Sequence, residues 1–401
     1  MPELDGRRLW LAGIGGAGLS GYAVVAKAWG AEVSGWDRNE TPYLAHVRAA
    51  AIPVIVSPEP PEPPQGAEVV VSTAYAAQIR GGSRAGLLAE LVGLRRSIVV
   101  SGAHGKTTTA AMIAFCLDGL GDDPSFLIGG EVPQLGGNAR AGSGWLVVEG
   151  DESDGTVFEL PAEIAVVTNV ELDHHATFAS TAELEERFRR WAAGLPAGRV
   201  VWGREQQPVD LELAVPGEHN RLNAACALAA LELAGFERDA AAEILTSFRG
   251  VGRRLEEHGE AGGVRLLDDY AHHPAELAAT IAAARATLPE GGRLVVLFQP
   301  HLYSRTLHLG SELAEALAAA DAAVVADVYA AREQPVPGIT GKLVADRLAE
   351  ARPGMPIGWA PALADAARIA ASLARPGGLL LTAGAGNVDS VLPLLREELE
   401  A

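Results

Sequence analysis

The sequence predicts an α/β protein of three domains, each a parallel sheet covered by helices on both faces. Three observations carry that expectation. Continuous apolar runs such as "SIVV", "WLVVE" and "RLVVLF" alternate with Ala- and Leu-rich helical stretches, the pattern of strands buried on both faces. Gly-rich or polar turns follow the ends of those runs, where open α/β sheets place their ligands. A chain of 401 residues also exceeds one ordinary domain and leaves room for two or three.

The elements follow in order. The first domain, residues 1–94, opens with "RLWLAGIGGAGLSGYAVVAKAWGAEVSGWD", which reads as a strand, a glycine turn, an amphipathic helix and a second strand ending at Asp37. A Pro-rich loop, "SPEPPEPPQG", then leads into the strand "AEVVVSTA". The second domain, residues 95–249, starts at "SIVVSGAHGKTTT" and continues through "WLVVEGDE", "EIAVVTNVELDHH" and the helix "NRLNAACALAALELAG". The third, residues 250–401, contains "VRLLDDYAHHP", "RLVVLFQPHLYSRT", "AAVVADVY" and "GGLLLTAGAGN".

Composition narrows the function classes. Hydrophobic content of 48% and charged content of 21% are those of a globular protein, and no apolar run reaches the length of a membrane span. The start, "MPELDGRRLWLAGIGG", lacks a secretory signal pattern, and the two cysteines, Cys116 and Cys226, sit in helical patterns as small buried hydrophobes. A cytoplasmic location is expected. The formal net charge of −19 argues against a general nucleic-acid binder. An anionic ligand must therefore be held by a few local donors, and Lys106, one of only three lysines, lies in a candidate phosphate motif.

That motif is "VVSGAHGKTTT". Glycines let backbone N–H groups turn toward a polyphosphate, and the following helix adds orphan donors and a favourable dipole. Gly102, Ala103, His104 and Gly105 form the turn, Lys106 supplies a point charge, and Thr107 can place its hydroxyl on Mg²⁺. Two residues, rather than the usual four, separate the glycines. "GIGGAGLSG" holds Gly13, Gly15 and Gly18 at dinucleotide-fingerprint spacing, with Asp37 at the next strand end. The same turn serves any diphosphate, so it supports a second phosphate-bearing ligand distinct from ATP.

Four acids, Glu149, Asp151, Glu152 and Asp154, follow another strand, and one or two of them suit a Mg²⁺ held against the phosphates. "TNVELDHH" ends a strand in Asp173, His174 and His175, either a buried hydrogen-bonded pair or a second metal ligand. Asn220 and Asn223 open a helix, as a cap or as readers of an adenine edge. "DDYAHHP" and "FQPHLYSRT" add Asp268, Asp269, His272, His273, His301 and Arg305. No Ser–His–Asp set, Cys nucleophile or zinc spacing stands out, so the chemistry points to positioned phosphates rather than a protein nucleophile.

Taken together, "GIGGAGLSG", "SGAHGKTTT", "EGDESD", "TNVELDHH", "PGEHNRLNAA", "DDYAHHP", "FQPHLYSRT", "DVYAAREQPVPG" and "LTAGAGN" occur in the order found in the Mur ligases of peptidoglycan synthesis. The chain closely resembles that family over nearly its whole length, and the first glycine loop favours the alanine-adding branch. The resemblance implies a Rossmann-like N-terminal domain for a UDP substrate, a central P-loop ATPase-type domain and a C-terminal Rossmann-like domain contacting the amino acid and ATP. It implies amide-bond formation between UDP-N-acetylmuramic acid and L-alanine through an acyl phosphate, with ATP and Mg²⁺, by a cytoplasmic monomer or homodimer.

By that resemblance Lys106 steadies the phosphates with the turn from Gly102 through Thr108, while Thr107, Glu149 and His174 hold metal. Asn220, Asn223 and Arg254 contact adenosine. Gly13, Gly15, Gly16 and Gly18, with Asp37, hold the UDP part, and Asn138 lines the sugar-acid site. Asp269, His273 and Arg305 orient the amino acid. Three departures accompany it: the stretch between His175 and "PGEHN" is short for the family, no lysine lies between Lys106 and Lys342 where several sister ligases use a carbamylated one beside the second metal, and Leu302 stands where many members carry Arg. Another amino-acid or peptide acceptor, or a non-catalytic nucleotide-binding regulator, stay open as alternatives.

Overall fold

The computed structural model describes residues 3–171, 178, 180–196, 199–331 and 333–401. Its strands fall into three sheets. The first holds β1 (Arg8–Ala12), β2 (Glu32–Asp37), β3 (Val54–Val56), β4 (Glu68–Val71) and β5 (Gly82–Ser83), in the order β3-β2-β1-β4-β5, all parallel. The second holds β6 (Ser97–Ser101), β7 (Ser125–Val132), β8 (Gly137–Arg140), β9 (Leu146–Glu149), β10 (Ile164–Val167) and β11 (Val200–Trp202), in the order β11-β10-β6-β9-β7-β8. The third holds β12 (Glu256–Ala261), β13 (Val264–Asp269), β14 (Leu294–Phe298), β15 (Ala322–Val325), β16 (Ile357–Trp359) and β17 (Leu379–Ala383), in the order β12-β13-β17-β14-β15-β16.

In one respect the sheets differ from the parallel expectation. β8 pairs antiparallel with β7, and β12 pairs antiparallel with β13, each with a register shift. Their sequences, "GNAR" and "EEHGEA", lack the continuous apolar character of a doubly covered strand. Each is an edge strand reached by a short connection, which antiparallel pairing permits and parallel pairing does not.

Helices cover the sheets: α1 (Ala17–Ala28), α2 (Leu44–Ala49), α3 (Arg84–Gly93), α4 (Lys106–Gly119), α5 (Thr181–Ala193), α6 (Glu218–Ala234), α7 (Arg238–Leu245), α8 (Pro274–Ala286), α9 (Tyr303–Leu317), α10 (Lys342–Ala351), α11 (Leu363–Leu373) and α12 (Leu392–Glu400). Local chemistry sets several starts. Ser83 and Ser180 accept from the N–H groups of Gly86 and Glu183 ahead of α3 and α5, and Pro274 occupies the first turn of α8. Between β10 and α6 the described residues form only α5, β11 and one 3₁₀ turn, in line with the short stretch noted in the sequence.

The chain groups into two compact units, residues 1–213 with 221–249, and residues 214–220 with 250–401. In the first, α1 packs on β7 and β8 of the second sheet, and Gly21 lets it approach Ala139 and Leu127 closely. α4 lies inside the core, with every residue from Thr107 to Ala114 buried. In the second unit, "LVVLF" (β14) and "LLLTA" (β17) are wholly buried and sit side by side. Each fully buried Leu, Val or Phe there contributes about 1.5–3 kcal/mol.

Candidate functional site

β6 sits between β10 and β9, so the turn after it opens where strand order reverses, the usual ligand crevice of such sheets. Gly102 and Gly105 have φ of +124° and +77°. A Cβ on Gly102 would stand 2.4 Å from Thr168 Oγ1, and one on Gly105 2.3 Å from Asn223 Oδ1. Only glycine fits either position. The two residues after β10 secure the turn: Asn169 accepts from the His104 N–H at 2.9 Å, and Thr168 Oγ1 donates to the His104 carbonyl at 2.6 Å. The His104 ring lies 3.2 Å from Glu171.

Lys106 and Thr107 begin α4, so both side chains emerge at the positive end of a buried helix. Thr107 Oγ1 donates to Glu149 at 2.9 Å, and the second Glu149 oxygen accepts from the Gly129 N–H at 2.7 Å. The Lys106 ammonium donates to the carbonyls of Gly102 and Ala103 and to Glu152 at 3.0 Å. Burial works against this ammonium, but Glu152, Glu149 and Asp151 outweigh it and hold its pKa above the ordinary lysine value. It therefore stays charged. Of the four acids in "EGDESD", Glu149 faces Thr107, Glu152 pairs with Lys106, and Asp154 takes Arg84 at 2.7 Å.

A hydroxyl and a carboxylate 2.9 Å apart beside a lysine form the hard-oxygen donor set that Mg²⁺ selects, so Thr107 and Glu149 fit that ion. His174, the third expected ligand, lies outside the described residues. Thr108, also expected at the phosphates, is buried in the same turn of α4. Asn223 in α6 lies against Gly105, one helical turn beyond Asn220.

The second glycine loop follows β1. The Gly13 N–H donates to the Trp36 carbonyl, and Asp37 accepts from the Gly15 N–H at 2.9 Å while Thr41 Oγ1 donates to the Gly15 carbonyl. Asp37 and the loop thus form one hydrogen-bonded piece. Gly16 caps α1, and the Arg84 guanidinium rests on Gly18. Asn138 is buried on β8, beside Gly137, over which the His46 ring lies.

In the other compact unit, Asn220 donates from its side-chain amide to the Pro216 carbonyl at 2.7 Å. Burial and then the charge of Arg254 hold the His219 pKa below its ordinary value, so this imidazole stays neutral. Asp269 is nearly inaccessible and spends both oxygens on backbone, accepting from the N–H groups of Leu255 and Ala271 at 2.7 Å each. Burial pushes its pKa up to about 6, against the pull of Arg254. His273 caps α8, with Glu276 reaching back to the His272 and His273 N–H groups. Arg305 is buried in α9, 3.2 Å from His301, whose ring stacks on Tyr329.

Sequence reasoning did not identify Glu152 as the partner of Lys106, nor Arg84 as a cation beside the first glycine loop. Both contacts join residues 46 or more positions apart or on different sheets, and no local pattern marks them.

The family described as Mur ligase, glutamate ligase domain, matches residues 253–386. UDP-N-acetylmuramate–L-alanine ligase of Kineococcus radiotolerans is 41% identical, with 96% of this chain and 95% of the relative covered. That of Mycolicibacterium vanbaalenii is 37% identical over 468 positions, covering 98% and 97%. That span exceeds the 401 residues of the chain, so the relative carries segments this chain lacks. Among solved structures, UDP-N-acetylmuramate-alanine ligase of Thermotoga maritima superposes with a TM-score of 0.79 at 25% identity, covering 97% of this chain and 98% of that one.

Proposed function

The chain belongs to the Mur ligase family, and from that premise we propose that it spends ATP to join L-alanine to UDP-N-acetylmuramic acid. A carboxylate is a poor acyl donor because oxide does not leave. Transfer of the γ-phosphoryl group to the lactyl carboxylate leaves ADP and gives an acyl phosphate, whose carbonyl carbon the neutral alanine amine attacks, losing a proton as phosphate leaves and an amide remains.

The observation that carries this reading is the pairing of Thr107 with Glu149 beside Lys106, on a turn whose Gly102 and Gly105 leave no room for a side chain. Lys106 would exchange Glu152 for the β- and γ-phosphates, while the amides of the turn and α4 bind their oxygens. Thr107 and Glu149 would hold Mg²⁺, which neutralises charge on the phosphates during transfer. Asn220, Asn223 and Arg254 would contact adenosine. The loop from Gly13 to Gly18, with Asp37, would take the UDP portion, and Asn138 the sugar acid. Asp269, His273 and Arg305 would orient the amino acid. The protein acts in the cytoplasm as a monomer or homodimer in this reading. Among the described residues no helix is long and apolar enough to cross a membrane.

Phosphate release by the purified protein with ATP and Mg²⁺, each partner omitted in turn, tests it. Release that requires both UDP-N-acetylmuramic acid and L-alanine is the expected result. Release that runs faster with another amino acid or a peptide overturns the acceptor, and no release despite ATP binding overturns the ligase.

A further inference from the structure

The turn "GRRLE" that enters the third sheet has an unusual backbone. Arg253 and Leu255 both adopt left-handed φ, +57° and +49°, with Arg254 between them. Residues with side chains avoid that region, and they persist in it only where their surroundings over-determine them. Here the surroundings are explicit. The Arg253 N–H donates to Glu256, the Arg253 carbonyl accepts from the Tyr270 N–H at 2.8 Å, and the Leu255 N–H donates to Asp269.

The Arg253 guanidinium completes the restraint. It donates to Asp268 at 2.8 Å, to the Gly386 carbonyl at 2.9 Å and to the Gly384 carbonyl at 2.8 Å. Asp268 is wholly buried, and its other oxygen accepts from Thr382 Oγ1 at 2.6 Å. One planar cation therefore ties the entry turn to the ends of β13 and β17 and to the glycine loop after β17. Between the two strained residues, Arg254 lies over the Tyr270 ring, 3.9 Å from Glu276, and its charge is felt by His219.

We propose that Arg253 and Asp268 are positioning residues that fix the left-handed turn and so aim Arg254 at the nucleotide. The inference rests on the reading above that Arg254 contacts adenosine. Burying a charged pair of this kind gains little stability by itself. Its output is geometric: a side chain held in one direction before the ligand arrives.

The test uses the full-length protein, with phosphate release measured against ATP, UDP-N-acetylmuramic acid and L-alanine in turn, and with ADP binding measured by calorimetry. Asp268→Asn raises the KM for ATP and the Kd for ADP about tenfold and leaves the other two KM values within about twofold. Arg254→Ala weakens both nucleotide constants at least as much. Adding Asp268→Asn to Arg254→Ala then costs less than about twofold more, because the clamp has lost what it aims. Arg253→Lys, which keeps a charge without the fork, repeats the pattern if Asp268→Asn does not fold.

Unchanged nucleotide constants in Asp268→Asn and Arg253→Lys overturn the proposal, as does an effect that persists undiminished in Arg254→Ala. Failure of both single variants to fold also overturns it, in favour of a purely structural pair. An Arg254→Ala protein with unaltered nucleotide constants overturns the placement of Arg254 itself, and the purpose of the clamp with it.

Discussion

The turn at 102–105 and the turn at 253–255 solve one backbone problem in opposite ways. Both need left-handed residues at a strand boundary. In the first they are glycines, Gly102 and Gly105, because Thr168 and Asn223 stand where a Cβ would go. In the second they are Arg253 and Leu255, at a cost of about 1–2 kcal/mol each. Where the backbone is proposed to bind the ligand, side chains are absent. Where a side chain is proposed to be presented, the chain accepts strain and hydrogen bonds offset it.

Removing the groups that the glycine turn presents has the largest expected effect. Lys106→Ala and Glu149→Ala each lower turnover about a thousandfold or more with the fold intact, read by phosphate release beside circular dichroism. Near-native rates in either would dissolve the contrast, since the turn would then present nothing essential. Gly105→Ala comes next. The added methyl meets Asn223 Oδ1 at 2.3 Å in a left-handed conformation, for a loss of about 2–4 kcal/mol in thermal unfolding, together with weaker ATP binding. A variant as stable as the parent would show that the turn yields as freely as an ordinary loop.

A smaller effect probes the strained turn through pH. Burial, opposed by Arg254 and two backbone amides, raises Asp269 from 3.8 to about 6. The folded protein therefore keeps this proton through a range where the unfolded chain has released it. Its contribution to stability is complete below the unfolded value and is lost as pH rises through that window, by up to about 3 kcal/mol. The stability gap between parent and Asp269→Asn is accordingly widest near the lower limit and narrows toward the upper one. A gap that stays flat, or widens with pH, would mean that Asp269 is ionised throughout and holds the Leu255 N–H as a carboxylate.

Much of this was legible in the chain because it is local. "SIVVSGAHGKTTT" gives strand, turn and helix within a dozen residues, and each link follows from apolar continuity, glycine and helix start. Glu149 was legible as one of four acids at the end of an apolar strand, and the pairing of that strand with β6 is what sets it against Thr107. What escaped depends on register between distant strands. Asp268 and Asp269 are adjacent, yet one salt-bridges Arg253 and the other binds backbone amides, a division that only the pleat of β13 decides. The grouping of residues 214–220 with the third sheet was equally invisible, since a seven-residue segment carries no periodicity of its own. Nor does any local signal announce the left-handed Leu302 ahead of α9, whose N–H is held by the Tyr329 carbonyl.

The grip of Glu152 on Lys106 has a consequence for ionic strength. The ammonium has a carboxylate at 3.0 Å inside the protein, not a cloud of mobile anions. In the proposed function, nucleotide binding at this lysine would trade one fixed counter-ion for another, and few dissolved ions would be released or taken up. Added salt screens such an exchange weakly. ATP affinity should therefore change little across salt concentrations that weaken the binding of phosphate ligands to exposed lysines.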